Sequence, residues 1–312
     1  MLNRNIPASA RALLAPTFGV TWLDTSPTED ERGVASALDE CQADLVFFDN
    51  SGTGRQCRHA KRLGARTVFL STRDRTLARG FGLDWLPWLD EHWIVGPRAL
   101  AAPLSPWRRV TAAMSGTAVR SLQSVFTTTD APRAAQLRHA LGCPDGRYVC
   151  VVPGGGGGLI DGTAAAVIFA DAAARVARRA GVPCVLLLGP LYEGADLTRP
   201  GVVVHLASHV QTVDLIAGAH VVVLGASSSL FQVCVASCSG GYEQLPRARA
   251  WAAQGVVAAA DPTPDALADV ACALLTDDAR WAALQRRVDA LAVENDLPRA
   301  LSAIAGLLAP RA

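Results

Sequence analysis

Five consecutive glycines, Gly154 to Gly158, follow an apolar run and Pro153, and a helix-forming stretch comes after them. Glycine lets a backbone approach a ligand closely, and main-chain amides ahead of a helix N-terminus attract an anion. The chemistry expected of such a loop is the binding of a phosphate or diphosphate. Its spacing is not G-x-x-x-x-G-K-[ST], which excludes a P-loop. Nor does an acidic residue stand at the tip of the next strand, as a nicotinamide dinucleotide site requires; Glu193 and Asp196 fall in a polar loop instead. A plain flexible turn is the other reading of the same glycines.

A second anion-binding candidate is Gly225-Ala226-Ser227-Ser228-Ser229, which joins an apolar strand to the next helix. Its hydroxyls either contact phosphate or cap that helix. Further on, Tyr242-Glu243-Gln244-Leu245-Pro246-Arg247-Ala248-Arg249 opens a helix. Glu243 and Gln244 stand in its first turn, as caps or as side chains aimed at a ligand. In the first half, Asp49 ends the apolar run Leu45–Asp49 and precedes Asn50-Ser51-Gly52-Thr53-Gly54. A carboxylate at the carboxyl end of a strand is placed to act as a base, or to cap the helix starting near Thr53. His59 lies within that helix and reads as a surface residue. His205 and His209 lack metal-ligand spacing, and Cys234 and Cys238 have no second ligand pair, so no metal site is expected.

These residues need a scaffold. The 312-residue length suggests two domains, and 50% apolar with 18% charged residues supports two sizeable cores. Aromatic residues are 6%, so the cores are chiefly Ala, Val and Leu. A net charge of +1 gives no field for nucleic acid. Eight cysteines without framework spacing, several inside apolar runs, fit a reducing compartment. The chain lacks a membrane-spanning run and a signal-peptide pattern, so a cytoplasmic protein is expected, with peripheral contact to a membrane surface if its acceptor is a lipid.

Short β-branched runs alternate with longer Ala/Leu/Arg-rich amphipathic segments. That alternation predicts βαβ units and parallel sheets. Strands are expected at residues 19–23, 45–49, 67–70 and 92–95, with helices at 9–14, 29–41, 53–63 and from about 105 to 125. A polar seam at 127–132, a helix at 133–141 and a turn cluster at 142–146 follow. The second half predicts strands at 148–152, 184–188, 202–205, 221–224 and 256–259. Its helices are expected at 162–180, 210–217, 228–236, 243–253, 265–275, 279–291 and 298–308. The expected architecture is α/β, with two Rossmann-like doubly wound lobes: an acceptor-side lobe over 1–142, a nucleotide-sugar-binding lobe over 143–290, and a helical tail over 291–312 packing back on the first lobe.

The poly-Gly loop, the run from Asp214 to Gln232, and Glu243-Gln244 before Arg247, Ala248 and a Gly255-Val256-Val257 strand occur in a particular order. In that order they resemble the C-terminal domain of GT-B glycosyltransferases of family 28. That family includes the N-acetylglucosaminyltransferases that form lipid II and the related UDP-sugar hydrolases of pseudaminic acid synthesis. The resemblance covers about residues 147–260.

It implies a donor site. Gly154, Gly155, Gly156, Gly157 and Gly158, with Ala226, Ser227, Ser228 and Ser229, would meet the diphosphate and flank the sugar. The loop at 208–210, with His209 and Val210, would lie against the base through its backbone. Gln232 stands where family members usually carry a Glu for the ribose, and keeps hydrogen bonding without charge assistance. Gln244 matches a sugar-contacting Gln, and Arg247 replaces a nearby Asn. The activity implied is a metal-independent, inverting transfer from a nucleotide-diphosphate sugar, UDP-type favoured, in bacterial glycan biosynthesis. No cofactor is implied, and the acceptor is a glycan, lipid or small molecule.

The departures keep alternatives open. The family's Gly-rich loop with a His near the start has no counterpart before Gly19. Either the true start lies upstream, or another base serves (Asp49 is the candidate), or activity is lost. Ser237-Cys238-Ser239-Gly240-Gly241 replaces an apolar strand, so one strand of the second sheet is expected to be missing or reduced. A hydrolase with water as acceptor, and a non-catalytic nucleotide-sugar-binding subunit, are the rival readings.

Overall fold

In the computed structural model the described residues are 2–3, 19–72, 74–96, 103–125, 131–143, 146–155, 157–189, 191–206, 212–225, 237–238, 244–291 and 293–310. The chain forms two compact units. One comprises Met1–Ile6, Leu14–Phe126 and Val293–Ala312, and the other Pro7–Leu13 and Thr127–Ala292.

In the first unit β1 (Leu2–Asn3) pairs in parallel with β2 (Trp22–Leu23). A four-stranded parallel sheet follows, with β3 (Leu45–Asp49), β4 (Arg66–Ser71), β5 (Glu91–Val95) and β6 (Ala118–Leu122) in sequential order. The connecting helices are α1 (Glu31–Cys41), α2 (Gly54–Arg62), α3 (Asp74–Gly80) and α4 (Pro106–Ser115). Strand alternation divides the apolar side chains between two faces. Phe48 and Phe69 pack with Trp85, Val34, Leu38 and Cys57. Val68, Trp93 and Leu122 pack with Ala300 and Ala303 of the C-terminal helix Leu297–Leu308.

The helix expected from 105 to 125 is really a helix and a strand. Gly116, at φ +73, ends α4 in the left-handed region, and the backbone re-enters as β6. The strand expected at 19–23 contracts to Trp22–Leu23. The helix expected at 9–14 lies outside the described residues.

One carboxylate docks the C-terminal helix on this unit. Asp296, 1% exposed, accepts the Gln123 amide at 2.6 Å and the Arg299 guanidinium at 2.8 Å, while its own amide donates to Ser124 O at 2.7 Å. Removing it leaves a buried amide without an acceptor. Asp296→Ala is therefore expected to cost about 2 kcal/mol in urea unfolding. A loss under about 0.5 kcal/mol would place the weight of the docking on the apolar face instead.

In the second unit a five-stranded parallel sheet has the order β11-β10-β7-β12-β13. The strands are β7 (Val149–Val152), β10 (Cys184–Leu188), β11 (Val202–Leu206), β12 (Val221–Gly225) and β13 (Ser237–Cys238). The antiparallel pair β8 (Leu159–Ile160) and β9 (Thr163–Ala164) stands outside it. Every residue of β7, β10 and β12 is buried and apolar, Gly225 included, as parallel strands require. The helices are α5 (Ala131–Ala140), α6 (Ala165–Ala180), α7 (Thr212–Ile216), α8 (Gln244–Ala253), α9 (Pro264–Thr276) and α10 (Asp278–Asp289).

Two local differences from the sequence reading have physical causes. The helix expected from 162 begins at Ala165, because Asp161 and Gly162, at φ +48 and +80, turn the chain into the β8–β9 hairpin. The strand expected at 256–259 shrinks to a single bridge residue, Ala259. The amides of Gly255 and Val256 return to Ala252 O and Trp251 O, closing α8, with Gly255 at φ +71. Over 237–241 the described residues are Ser237 and Cys238, which form β13 and pair with Leu224 and Gly225, and residues 239–241 lie outside the described residues. The helix expected at 228–236 lies outside the described residues.

Candidate nucleotide-binding site

β7 is the centre of the second sheet. The chain leaves it through α6 to β10 and β11 on one side, then returns to the other side for β12 and β13. The order reverses at β7 and β12, and in open parallel sheets ligands bind beyond the carboxyl ends of the strands at such a reversal. The loop leaving β7 is the poly-Gly loop, and the residues that follow β12, from 226 on, lie outside the described residues.

Within the first loop, the glycines differ in why they are there. Gly154 has φ +115, a conformation that side chains rarely adopt. Gly155, Gly157 and Gly158 do not. A Cβ on Gly157 would meet nothing within 4 Å, and on Gly155 or Gly158 nothing closer than 3.9 Å, from Leu191 and Ala165 respectively. The fold itself leaves room for side chains at these three positions. Their bareness exposes backbone.

Two anchors hold that backbone. The Leu191 amide donates to Gly155 O at 2.9 Å, and the Ala165 amide donates to Gly158 O at 2.9 Å. Gly189, just past β10, lies against the loop: a Cβ there would stand 2.2 Å from Gly154 O and 2.3 Å from Gly155 C. Sequence reading passed over Gly189; its only signal is a glycine directly after a run of apolar strand residues.

The second anchor ties the loop to the start of α6. That 16-residue helix has Ala164 at its N-cap with no side-chain hydrogen bond, and no acidic residue in its first turn. With the Ala165 amide on Gly158 O, the amides after it in the first turn have no side-chain cap from Ala164, and no acidic residue of the turn offsets the positive end of the helix dipole. Bare loop and uncapped helix together make a setting for an anion.

The other sequence candidates are distributed as follows. Gly156, His209, Val210, Ala226, Ser227, Ser228, Ser229, Gln232 and Glu243 lie outside the described residues. Gln244 and Arg247 belong to α8. His205 lies in β11, where burial lowers its pKa against a backbone hydrogen bond to Leu141 that raises it. Asp196 accepts from the amide and hydroxyl of Thr198, which closes a surface turn.

In the first unit Asp49 ends β3 with its side chain exposed. The helix that follows is capped by Thr53, whose hydroxyl accepts from the Gln56 amide at 3.3 Å while Gln56 Oε1 accepts from the Thr53 amide at 2.9 Å. Asp49 is thus not that cap. Its Oδ1 accepts from Asn50 Nδ2 at 2.7 Å. Asn50 is in turn fixed: its Oδ1 accepts from the Thr72 amide at 3.0 Å and the Thr76 hydroxyl at 2.9 Å, and its φ is +52. His59 sits on α2, 2.8 Å from exposed Asp39, as a surface pair.

No protein-family model matches the chain, and no curated protein matches it. Solved structures do. The chain is similar to CalG4, the calicheamicin glycosyltransferase, at 14% identity and a TM-score of 0.54, covering 97% of this chain and 85% of that one. It is similar to the glycosyltransferase SnogD from Streptomyces nogalater at 19% identity and a TM-score of 0.54, covering 88% and 75%. A UDP-glucose:anthocyanidin 3-O-glucosyltransferase in complex with UDP matches at 12% identity and a TM-score of 0.50, covering 94% and 84%. At these identities the likeness is one of fold: two Rossmann-like α/β units of the GT-B type with a helical C-terminal tail.

Proposed function

We propose that this chain is a nucleotide-sugar-dependent glycosyltransferase whose donor diphosphate rests on the loop Gly154–Gly158 and the start of α6. The observation that carries the reading is the set of glycines at 155, 157 and 158, for which the fold has no steric need. A ligand pressed against bare backbone supplies that need. The GT-B-type fold and the position of the loop at the sheet's reversal point support it.

The transfer we propose is inverting and metal-independent. An acceptor hydroxyl attacks the anomeric carbon on the face opposite the diphosphate, the sugar–oxygen bond to the diphosphate breaks, and the acceptor's proton passes to Asp49. Loop amides and the α6 terminus stabilise the charge that grows on the departing diphosphate. A UDP-type donor carrying a hexosyl or N-acetylhexosaminyl group is the reading suggested by the resemblance of these sequence signals to family 28. Synthesis of a bacterial glycan or glycoside in the cytoplasm is the setting we infer. The acceptor is a glycan, lipid or small molecule.

A melting-temperature screen against UDP, GDP, CDP, dTDP, ADP and NAD tests the donor site, since a ligand bound to the native state raises the midpoint. One nucleoside diphosphate is expected to shift it selectively. Gly157→Val is expected to leave the unliganded midpoint unchanged and to weaken that nucleotide by about 10-fold or more, through lost close approach. Absence of any shift would sink the donor reading. Sugar release without an acceptor would redirect it to a hydrolase.

A further inference from the structure

The C-terminal helix covers one face of the first sheet, and that face carries a charged pair. Registered residues of neighbouring strands point to the same face, so Glu91 and Trp93 of β5 share one with Arg120 and Leu122 of β6. Ala300 and Ala303 of the helix pack with Trp93 and Leu122. Beside Glu91 and Arg120 the helix leaves an open cavity of about 360 Å³, walled on its own side by Arg299, Ser302, Ala303, Gly306 and Leu307. That is room for a small ligand, at the lower end of the roughly 300–1,000 Å³ typical of ligand pockets.

Gly306 keeps the cavity open. Glycine within a helix destabilises it relative to alanine. A Cβ at Gly306 would meet nothing within 4 Å, so no packing contact calls for glycine there. A longer side chain at this position would enter the cavity.

The polar groups on the walls favour an anion. Glu91 is buried and already satisfied: Oε1 accepts from Arg120 Nη2 at 2.8 Å, Oε2 accepts from Arg120 Nε at 2.9 Å, and the Trp93 indole N–H also donates to Oε2. The pair fixes the Arg120 guanidinium, which lies over the Trp93 ring at 5.9 Å, and leaves Nη1 without a partner among the described residues. Arg299 donates from Nη1 to Asp296 at 2.8 Å, and Asp296 is buried and does not line the cavity. The other nitrogens of Arg299 and the Ser302 hydroxyl have no partner among the described residues. Two guanidinium groups with donors to spare thus stand against one carboxylate that is fully engaged, which suits a ligand group that only accepts. Ala303, Gly306 and Leu307 supply an apolar surface next to them.

We propose that this cavity binds a small organic carboxylate with an apolar body. Arg120, Arg299 and Ser302 receive the carboxylate, and the body lies against Ala303, Gly306 and Leu307. Asp49 stands on the opposite edge strand in the same register row as Arg120, roughly 14 Å away at about 4.8 Å per strand, so the site is separate from the proposed base. It rests on the first unit alone and stands or falls independently of the donor-site reading.

Titration calorimetry of the full chain with phenylacetate, 4-phenylbutyrate and octanoate tests it, each compared with its uncharged amide. At least one carboxylate is expected to bind saturably, one per chain, and about 10-fold or more tighter than its amide. Gly306→Leu is expected to melt no lower than the native chain and to weaken that carboxylate by about 10-fold or more. Arg299→Gln, which keeps a donor for Asp296, is expected to weaken the carboxylate and leave the amide unchanged; it decides the matter if Gly306→Leu fails to fold. No saturable binding of any of the three carboxylates up to about 10 mM overturns the proposal. So does an amide that binds as well as its carboxylate, or binding that a folded Gly306→Leu leaves unchanged. Carboxylate binding that UDP displaces would assign the anion to the second unit and overturn it equally.

Discussion

Gly189→Ala is expected to abolish nucleotide binding, with a loss of about 100-fold or more, although residue 189 lies in a different loop from the glycines expected to touch the ligand. The reason is spatial. The added methyl would stand 2.2 Å from Gly154 O and 2.3 Å from Gly155 C, distances no real carbon tolerates. Both obstacles are backbone, so no side-chain rotation relieves them. Either β10's exit or the poly-Gly loop must move. Among the described residues the loop is tied by the Ala165-to-Gly158 bond and by the Leu191-to-Gly155 bond, the latter from the same segment as Gly189. Displacing it should cost about 1–3 kcal/mol of stability, as overpacking does, and should misplace the amides. The contrast with Gly157→Val is the informative part. That substitution enters open space, so its effect should appear in binding and not in melting. Measuring both quantities for both variants separates a glycine the fold needs from one the ligand needs. If Gly189→Ala melted normally and bound nucleotide as the native chain does, the loop would not be held where the structure has it.

Much of this fold could be read from the sequence because parallel strands announce themselves. Val149–Val152, Cys184–Leu188 and Val221–Gly225 are continuous apolar runs, and each became a strand. The errors came where one residue overrides a pattern. Gly116 cuts an apparently continuous helical stretch because its φ of +73 ends α4, and the Ala-Val-Arg-Ser-Leu that follows has weak strand character of its own. Val256 and Val257 have strand propensity and are buried, yet the amides of Gly255 and Val256 close the preceding helix, so propensity lost to local capping.

The site was less legible than the fold for a related reason. A run of glycines is visible in sequence, but whether each one is sterically required is not. That distinction depends on the backbone angle at Gly154 and on neighbours such as Leu191, which stands beside Gly155 from a distant part of the chain. Likewise the sequence left Asp49 between capping a helix and facing a ligand. Thr53 and Gln56 settled the first possibility by forming the cap themselves.

With capping removed, Asp49→Asn is expected to lower turnover by about 100-fold or more while leaving nucleotide binding unchanged, the range a lost general base produces. The substitution keeps size and keeps an oxygen for Asn50 Nδ2 to donate to, so the 2.7 Å contact with Asn50 can persist. What disappears is the capacity to accept a proton. The surroundings argue that this carboxylate is held for a purpose. It is exposed, yet its neighbour Asn50 is locked by Thr72 and Thr76 in a left-handed conformation that a non-glycine residue adopts at a cost. Single-turnover sugar transfer and nucleotide binding measured on the same variant distinguish the outcomes. Turnover lost with binding intact assigns the base. Turnover unchanged removes Asp49 from the mechanism while leaving the donor site standing, because the two lie in different units and are tested by different readouts.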